Sequence, residues 1–487
     1  MQRNRPTFEY QIFTMKPAFL VTAFFLLYGC LPGFAQTSKL IGTWQGTLSV
    51  GVELRIIFHI TGDEKNGFTS TADSPDQSAY GLKCDATTLN NNEVSIEMND
   101  LHASFSGKLI NDSTIDGTFT QNVDIPLTLK KTDKVTERKR PQTPTPPFPY
   151  KNEEVEYSNT DKSLRYGATI TIPEGSGPFL ALVMITGSGP QDRDETIMGH
   201  KPFAVIADYL TRKGFIVLRV DDRGIGKSTG NFSEATSEDF TNDVNSSVDY
   251  LLTRPETDKK KLGLLGHSEG GMIAPMVAAK RKDINFIILL AGPGVDIIDL
   301  MAEQNAAIAK SGGISEQTVK EIRPLFKSAV TIIMDNPDST AAIKKLSAFT
   351  DKWASTMAKE VLKELDFETA KQRNDYCVGM VKEFQSPWFR YFIRFKPSQY
   401  LEQLKCNVLA LNGDKDIQVV ASQNLPGIEA SLKKSKSKVY EVKELPGLNH
   451  LFQTCKKCTV NEYGELEETI SPVALDYINN WLQKNVQ

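Results

Sequence analysis

The sequence predicts an α/β protein. A small all-β domain comes first, then a mostly parallel sheet flanked by helices and interrupted by a helical insertion. Three observations carry that expectation. Residues 37–130 alternate apolar and polar side chains at period two, with turn clusters between the runs. From 151 onward, short apolar strands alternate with helix-length segments. Between 290 and 408 the pattern is helical, with no convincing strand.

At 487 residues the chain is too long for one ordinary domain. Its 40% hydrophobic and 24% charged residues, with a net charge of −4, are those of a soluble globular protein. There is no basic stripe and no Cys/His finger spacing, so no nucleic-acid partner is expected.

Residues 1–35 read as a signal peptide. Lys16 precedes an apolar core over 18–27 that is too short to span a bilayer, and Gly33-Phe34-Ala35-Gln36 suits cleavage after Ala35. Export to the periplasm or medium is therefore expected. The alternative is a lipoprotein anchored at Cys30, in Leu27-Tyr28-Gly29-Cys30, although Tyr28 is bulky where a lipid-attachment motif prefers a small residue. No membrane span is expected in the mature chain. It would keep Cys84, Cys377, Cys406, Cys455 and Cys458. A local disulfide between Cys455 and Cys458 is expected over metal or redox chemistry, because no second Cys pair is available for a four-ligand site.

The 37–130 region predicts a β-sandwich or barrel. Val94, Ile96 and Met98 alternate with polar residues, as do Ile115, Gly117 and Phe119, then Val123, Ile125, Leu127 and Leu129. It holds no catalytic set, and His59 and His102 read as ordinary strand residues. Residues 131–150 follow as a Pro-rich linker whose basic cluster is solvated and whose prolines keep it extended.

The α/β domain is expected over 151–487. An antiparallel lead-in at 154–158 and 166–172 precedes strands at 179–185, 215–220, 262–265, 286–290, 408–411 and 439–442. Helices fit 202–213, 237–252, the segment after Ser268, and 472–484. The insertion, about 296–400, reads as helices over 297–309, 316–334, 341–365 and 368–384. Its place predicts a cap over the C-terminal sheet edge, where such folds bind ligands.

The chemistry centres on Gly266-His267-Ser268-Glu269-Gly270, which lies between a strand and a helix. By composition alone about one chain in six of this length would carry such a pentapeptide. A strand–turn–helix setting, with an acid and then a histidine downstream, is what gives it meaning. A serine hydroxyl needs a base within hydrogen-bond reach. His450, the one histidine after Ser268, follows the last predicted strand. The base needs an orienting carboxylate. Asp416 is chosen over Asp414, which reads as a turn cap, because Gly-x-x-Asp after this strand is the usual arrangement. An oxyanion needs preorganised donors: the backbone N–H of Glu269, and one from the loop after 179–185, Ser188 first and Gly187 next. Asp192, Arg193 and Asp194 read as a loop-stabilising charge set, and His267, adjacent to Ser268, as pointing elsewhere on the turn.

These residues together resemble the α/β-hydrolase superfamily over roughly 151–487. The resemblance rests on the Gly-His-Ser-Glu-Gly-Gly elbow, Asp-Arg-Gly-x-Gly from Asp222, Gly-x-x-Asp from Gly413, and Asn449-His450. More narrowly, the run from Thr186 to Glu195 resembles secreted bacterial serine esterases with a β-rich N-terminal domain and a helical cap. The resemblance implies hydrolysis of a small-molecule carboxylic ester through an acyl-enzyme on Ser268, without cofactor or metal. A serine peptidase of the prolyl oligopeptidase or proline iminopeptidase type is the alternative on the same fold. A disabled scaffold used only for binding is the alternative from another class.

Overall fold

The computed structural model describes residues 39–49, 53–77, 79–121, 123–135 and 138–486. The expected signal peptide and Cys30 lie outside the described residues. The chain divides into two compact units, Met1–Glu137 and Arg138–Gln487.

The first unit is a closed antiparallel barrel of β1 (Gly42–Ser49), β2 (Glu53–Asp63), β3 (Gly67–Ser74), β5 (Ala86–Asn90), β6 (Glu93–Met98), β7 (Ala103–Asn111), β8 (Thr114–Gln121) and β9 (Val123–Thr132); β4 (Ala79–Lys83) pairs only with β3. Closure is by the β1–β9 and β3–β5 pairings. The sequence left sandwich and barrel open, and the structure gives a barrel, which removes nearly all free sheet edges. Alternation explains its core: Trp44, Phe58, Ile96, Phe105 and Ile115 point inward and are fully buried. Between β5 and β6, Asn91 and Asn92 both take positive φ (52° and 69°), as a two-residue hairpin turn requires.

Residues 138–150 belong to the second unit, so the stretch read as a free spacer is from Arg138 on part of the folded body. The Arg140 guanidinium donates to the carbonyls of Met198, Gly464 and Leu466, and Gln142 Nε2 donates to Ile470 O. The basic and proline-rich composition carried no sign of these long-range carbonyl partners, nor of the turn in which Thr143 N–H donates to Arg140 O at 3.0 Å.

The second unit is built on an eight-stranded sheet in the order β10-β11-β13-β12-β14-β15-β16-β17. The strands are β10 (Lys151–Ser158), β11 (Arg165–Ile172), β12 (Phe179–Ile185), β13 (Ile216–Val220), β14 (Thr257–His267), β15 (Ile284–Leu290), β16 (Asn407–Gly413) and β17 (Tyr440–Leu445). Only β10–β11 and β11–β13 pair antiparallel; β13 onward is parallel. Leu180, Leu182 and Met184 of β12 pack with α1 (Pro202–Arg212) and α12 (Pro472–Asn485) on one face. Ala181, Val183 and Ile185 pack with α2 (Ser237–Thr253), α3 (Gly270–Lys280) and α11 (Ala421–Leu432) on the other. The chain leaves β12 for β13 on one side and reaches β14 on the other. The loops after β12 and β14 therefore flank a topological switch point, where parallel sheets place their sites.

Between β15 and β16 lie α4 (Ile297–Ser311), α5 (Glu316–Asp335), α6 (Ser339–Ala354), α7 (Lys359–Glu364), α8 (Ala370–Phe384), α9 (Pro387–Phe392) and α10 (Ser398–Leu401). The helix expected over 341–365 is split. The hydroxyls of Ser355 and Thr356 bond the carbonyls of Lys352 and Trp353 at 2.7 Å, competing with the helical ladder. Helix α11 was hidden in the sequence by Pro426 and Gly427 at its centre. Among the described residues, no helix is long and apolar enough to cross a membrane.

Candidate active site

Strand β14 ends at His267, Ser268 takes φ 52°, and α3 begins two residues later. A left-handed non-glycine costs about 1–2 kcal/mol, so something must hold it. The Ser268 N–H donates to Leu290 O of the neighbouring strand at 2.8 Å, and its carbonyl accepts from Gly271 N at 2.9 Å. The flanking glycines are steric necessities: a Cβ on Gly266 would lie 2.0 Å from Gly270 O, and one on Gly270 would lie 2.1 Å from Ile185 O. Ser268 Oγ makes no hydrogen bond to protein among the described residues. Nucleophile–base contacts often close only around substrate.

The loop after β17 carries His450. Asn449 shapes it: its side-chain oxygen accepts from the N–H groups of Leu451 and Gln453, both at 3.0 Å. His450 is buried, and its Nδ1 lies 2.8 Å from Asp416 Oδ2. Asp416 in turn accepts at Oδ1 from the N–H groups of Gln418 and Val419, and at Oδ2 from Asn412 Nδ2. A carboxylate accepts, so Nδ1–H is the donor, and Nε2 has no protein partner among the described residues. Asp414, the competing acid, accepts from Gly447 N at 2.6 Å and caps the turn.

The three backbone candidates divide. Neither Ser188 N nor Glu269 N donates to a protein acceptor among the described residues. Gly187, the other residue named from the sequence, is excluded: its N–H already donates to Glu195 Oε1 at 2.7 Å. The charge set behaves as read. Arg193 clamps Asp221, Asp194 pairs with Arg219, and Asp192 accepts from Thr196.

His267 turns from Ser268 toward Glu195 and the His450 loop. It is buried, with Nδ1 2.9 Å from Glu195 Oε1, Nε2 3.0 Å from the His450 carbonyl, and its ring centroid 4.8 Å from that of His450. Burial lowers its pKa, but the Glu195 charge and hydrogen bond and the His450 carbonyl outweigh burial, and the net direction is up. Glu195 stands in the Thr186–Glu195 run, yet nothing local in the sequence signals a partner more than seventy residues away.

The sequence also missed the side chain of Glu269. It is buried beside Ser268, and Oε1 accepts from Ser237 Oγ at 2.6 Å and from Trp388 Nε1 of α9 at 2.9 Å. Burial raises its pKa against those hydrogen bonds. One insertion helix thus reaches the elbow directly, and Tyr391 of the same helix donates to Glu238 of α2. A cavity lined by Thr186, Gly187, Asp222, Phe240, Glu269 and Ile273 lies between the β12 loop and α2.

Cys455 and Cys458 form a disulfide in the His450 loop. Glu462 accepts the N–H groups of Lys456, Lys457 and Cys458 across it.

A family model described as serine aminopeptidase S33 matches residues 200–375, a span that contains Ser268 but neither Asp416 nor His450. The esterase EstD of Thermotoga maritima is 34% identical over 163 residues, covering 33% of this chain and 39% of that protein. The acyl-coenzyme A thioesterase 3 of Mus musculus is 27% identical over 184 residues, covering 37% of this chain and 39% of that protein. The chain thus spans about two fifths of the length of these curated relatives. A Pyrococcus furiosus esterase structure aligns at 14% identity and a TM-score of 0.42, covering 69% of this chain and 92% of that one.

Proposed function

Because the chain belongs to the α/β-hydrolase superfamily, we propose that it is a serine hydrolase that cleaves small-molecule carboxylic esters through an acyl-enzyme on Ser268. The observation that carries the reading is His450. It is buried, its Nδ1 is engaged by Asp416, and its Nε2 is open, on the sheet edge that presents a strained serine. In the proposed cycle His450 Nε2 takes the Ser268 proton as Oγ attacks the ester carbonyl. Asp416 stabilises the imidazolium, and the N–H groups of Ser188 and Glu269 receive the oxyanion. His450 then protonates the leaving alcohol, and water repeats the sequence to release the acid. The insertion, which reaches the elbow through Trp388, would set acyl and alcohol preference. The similarity to an esterase supports this choice of substrate class.

The peptidase reading has one specific observation in its favour, the description of the family model over 200–375. p-Nitrophenyl acyl esters assayed against aminoacyl p-nitroanilides decide between them. Ester cleavage that disappears in Ser268→Ala, along with fluorophosphonate labelling, is the expected result. Anilide cleavage without ester cleavage would overturn the substrate class. Export is part of the same proposal, resting on residues 16–36. N-terminal sequencing of the mature protein should begin at Gln36, and a lipid-modified Cys30 would replace that expectation.

A further inference from the structure

We infer that Glu195 and His267 form a positioning pair that holds the oxyanion loop, the elbow and the His450 loop in one register. This rests on the serine-hydrolase reading above. Three loops arrive at the site from different strands, and none is hydrogen-bonded to the others at its reacting atom. The pair supplies the links. Glu195 Oε1 accepts from Gly187 N at 2.7 Å, and Gly187 immediately precedes the proposed donor Ser188. The same oxygen lies 2.9 Å from Nδ1 of His267, the residue immediately before Ser268. His267 Nε2 lies 3.0 Å from the backbone carbonyl of His450.

The protons follow from the partners. A carbonyl oxygen only accepts, so His267 Nε2 carries a hydrogen. With Glu195 ionised, Nδ1 carries one too, and the ring is an imidazolium donating in both directions. The side chains are 9% and 6% exposed, so the pair is shielded from water. A ring with both nitrogens occupied has no lone pair to offer a substrate, which separates this histidine from His450.

Backbone geometry gives an independent sign. Glu195 has φ 52°, left-handed for a residue with a Cβ, like Ser268 itself. Such conformations persist where the surroundings over-determine them, and they gather at functional sites. The two contacts at Oε1, with the Glu195 N–H bonded to Asp192 O at 2.9 Å, provide that determination. Displacing a reacting group by about an ångström can cost on the order of 100-fold in rate. The cost falls on turnover, because the pair acts on the relative placement of nucleophile, base and oxyanion donor.

The test compares Glu195→Ala, Glu195→Gln and Ser268→Ala on p-nitrophenyl butyrate, with the thermal midpoint of each variant measured. Glu195→Ala should lower kcat on the order of 100-fold with KM within about twofold. Glu195→Gln keeps an oxygen acceptor for Gly187 N–H. That oxygen, standing where Oε1 stands, also accepts from Nδ1–H of a protonated His267, which still donates from Nε2 to the His450 carbonyl. It should therefore recover most of the lost kcat. If Glu195→Ala is folded at the assay temperature and turns over like the parent while Ser268→Ala is inactive, the positioning role is wrong and the nucleophile assignment stands. If Glu195→Ala does not fold, a folded Glu195→Gln that has lost 100-fold or more in kcat also overturns it. Full activity in Ser268→Ala instead sinks the underlying reading.

Discussion

Two buried histidine–carboxylate pairs stand side by side at the sheet edge, their imidazole centroids 4.8 Å apart. In His450–Asp416, Nδ1 meets the carboxylate and Nε2 has no protein partner among the described residues. In His267–Glu195, Nδ1 meets the carboxylate and Nε2 donates to a carbonyl. The carboxylate distances, 2.8 and 2.9 Å, hardly differ, so contact with an acid does not mark a general base. The open second nitrogen does, because a base must accept and release a proton without breaking its anchor. A third buried histidine, His200, completes the series. Its Nδ1 lies 2.8 Å from Thr469 Oγ1 and its Nε2 3.0 Å from Tyr463 O, with no carboxylate bonded to either nitrogen among the described residues.

The largest effect is expected at the open nitrogen of His450. His450→Gln should reduce kcat toward esters by about a millionfold in a folded protein, measured by ester turnover and circular dichroism. A residual rate near the parent's would mean that the base lies elsewhere. Asp416→Asn keeps the shape but favours the wrong tautomer, and about 10⁴-fold should be lost in kcat. A loss that small for His450→Gln and a larger one for Asp416→Asn would reverse the roles assigned to the pair.

His200 sharpens the contrast through pH. Burial first, then the charge of Arg140, lowers its pKa from 6.5 to about 4, against the pull of the Tyr463 carbonyl. Above pH 6.5 neither folded nor unfolded chain is protonated there. As pH falls from 6.5 toward 4 the unfolded chain takes up the proton and the folded one does not, so stability is lost across that window, on the order of 3 kcal/mol. His200→Asn should flatten the difference between urea midpoints at pH 7 and pH 4.5. An unchanged difference would assign the slope to another group. The smallest effect is expected at Asp414→Asn, beside Asp416 in sequence but capping a turn. It should cost about 1 kcal/mol of stability and leave kcat within about threefold, read from thermal midpoint and turnover together.

Much of this was legible locally. Period-two alternation marked the barrel strands, and the apolar runs marked the parallel strands, because both report on which faces are buried. Ser268, Asp416 and His450 could be named because each follows a strand end and residue chemistry is scarce there. What stayed hidden depended on partners distant in sequence. Glu195 and His267 meet across a separation of 72 residues, Arg140 reaches carbonyls more than 300 residues away, and Trp388 finds Glu269 across 119. The choice between Ser188 and Gly187 was equally closed to the sequence. Both are small loop residues, and only the position of the Glu195 carboxylate shows which N–H is already taken.

The order of elements, the strained serine turn and the candidate base and acid can be read along the chain, since backbone propensity, burial period and residue type are written locally. Which histidine keeps an open nitrogen, which amide stays free and whether the barrel closes emerge only from the folded arrangement. Those outcomes depend on hydrogen-bond partners, and such partners are chosen by the fold after the chain has brought distant strands to the same edge.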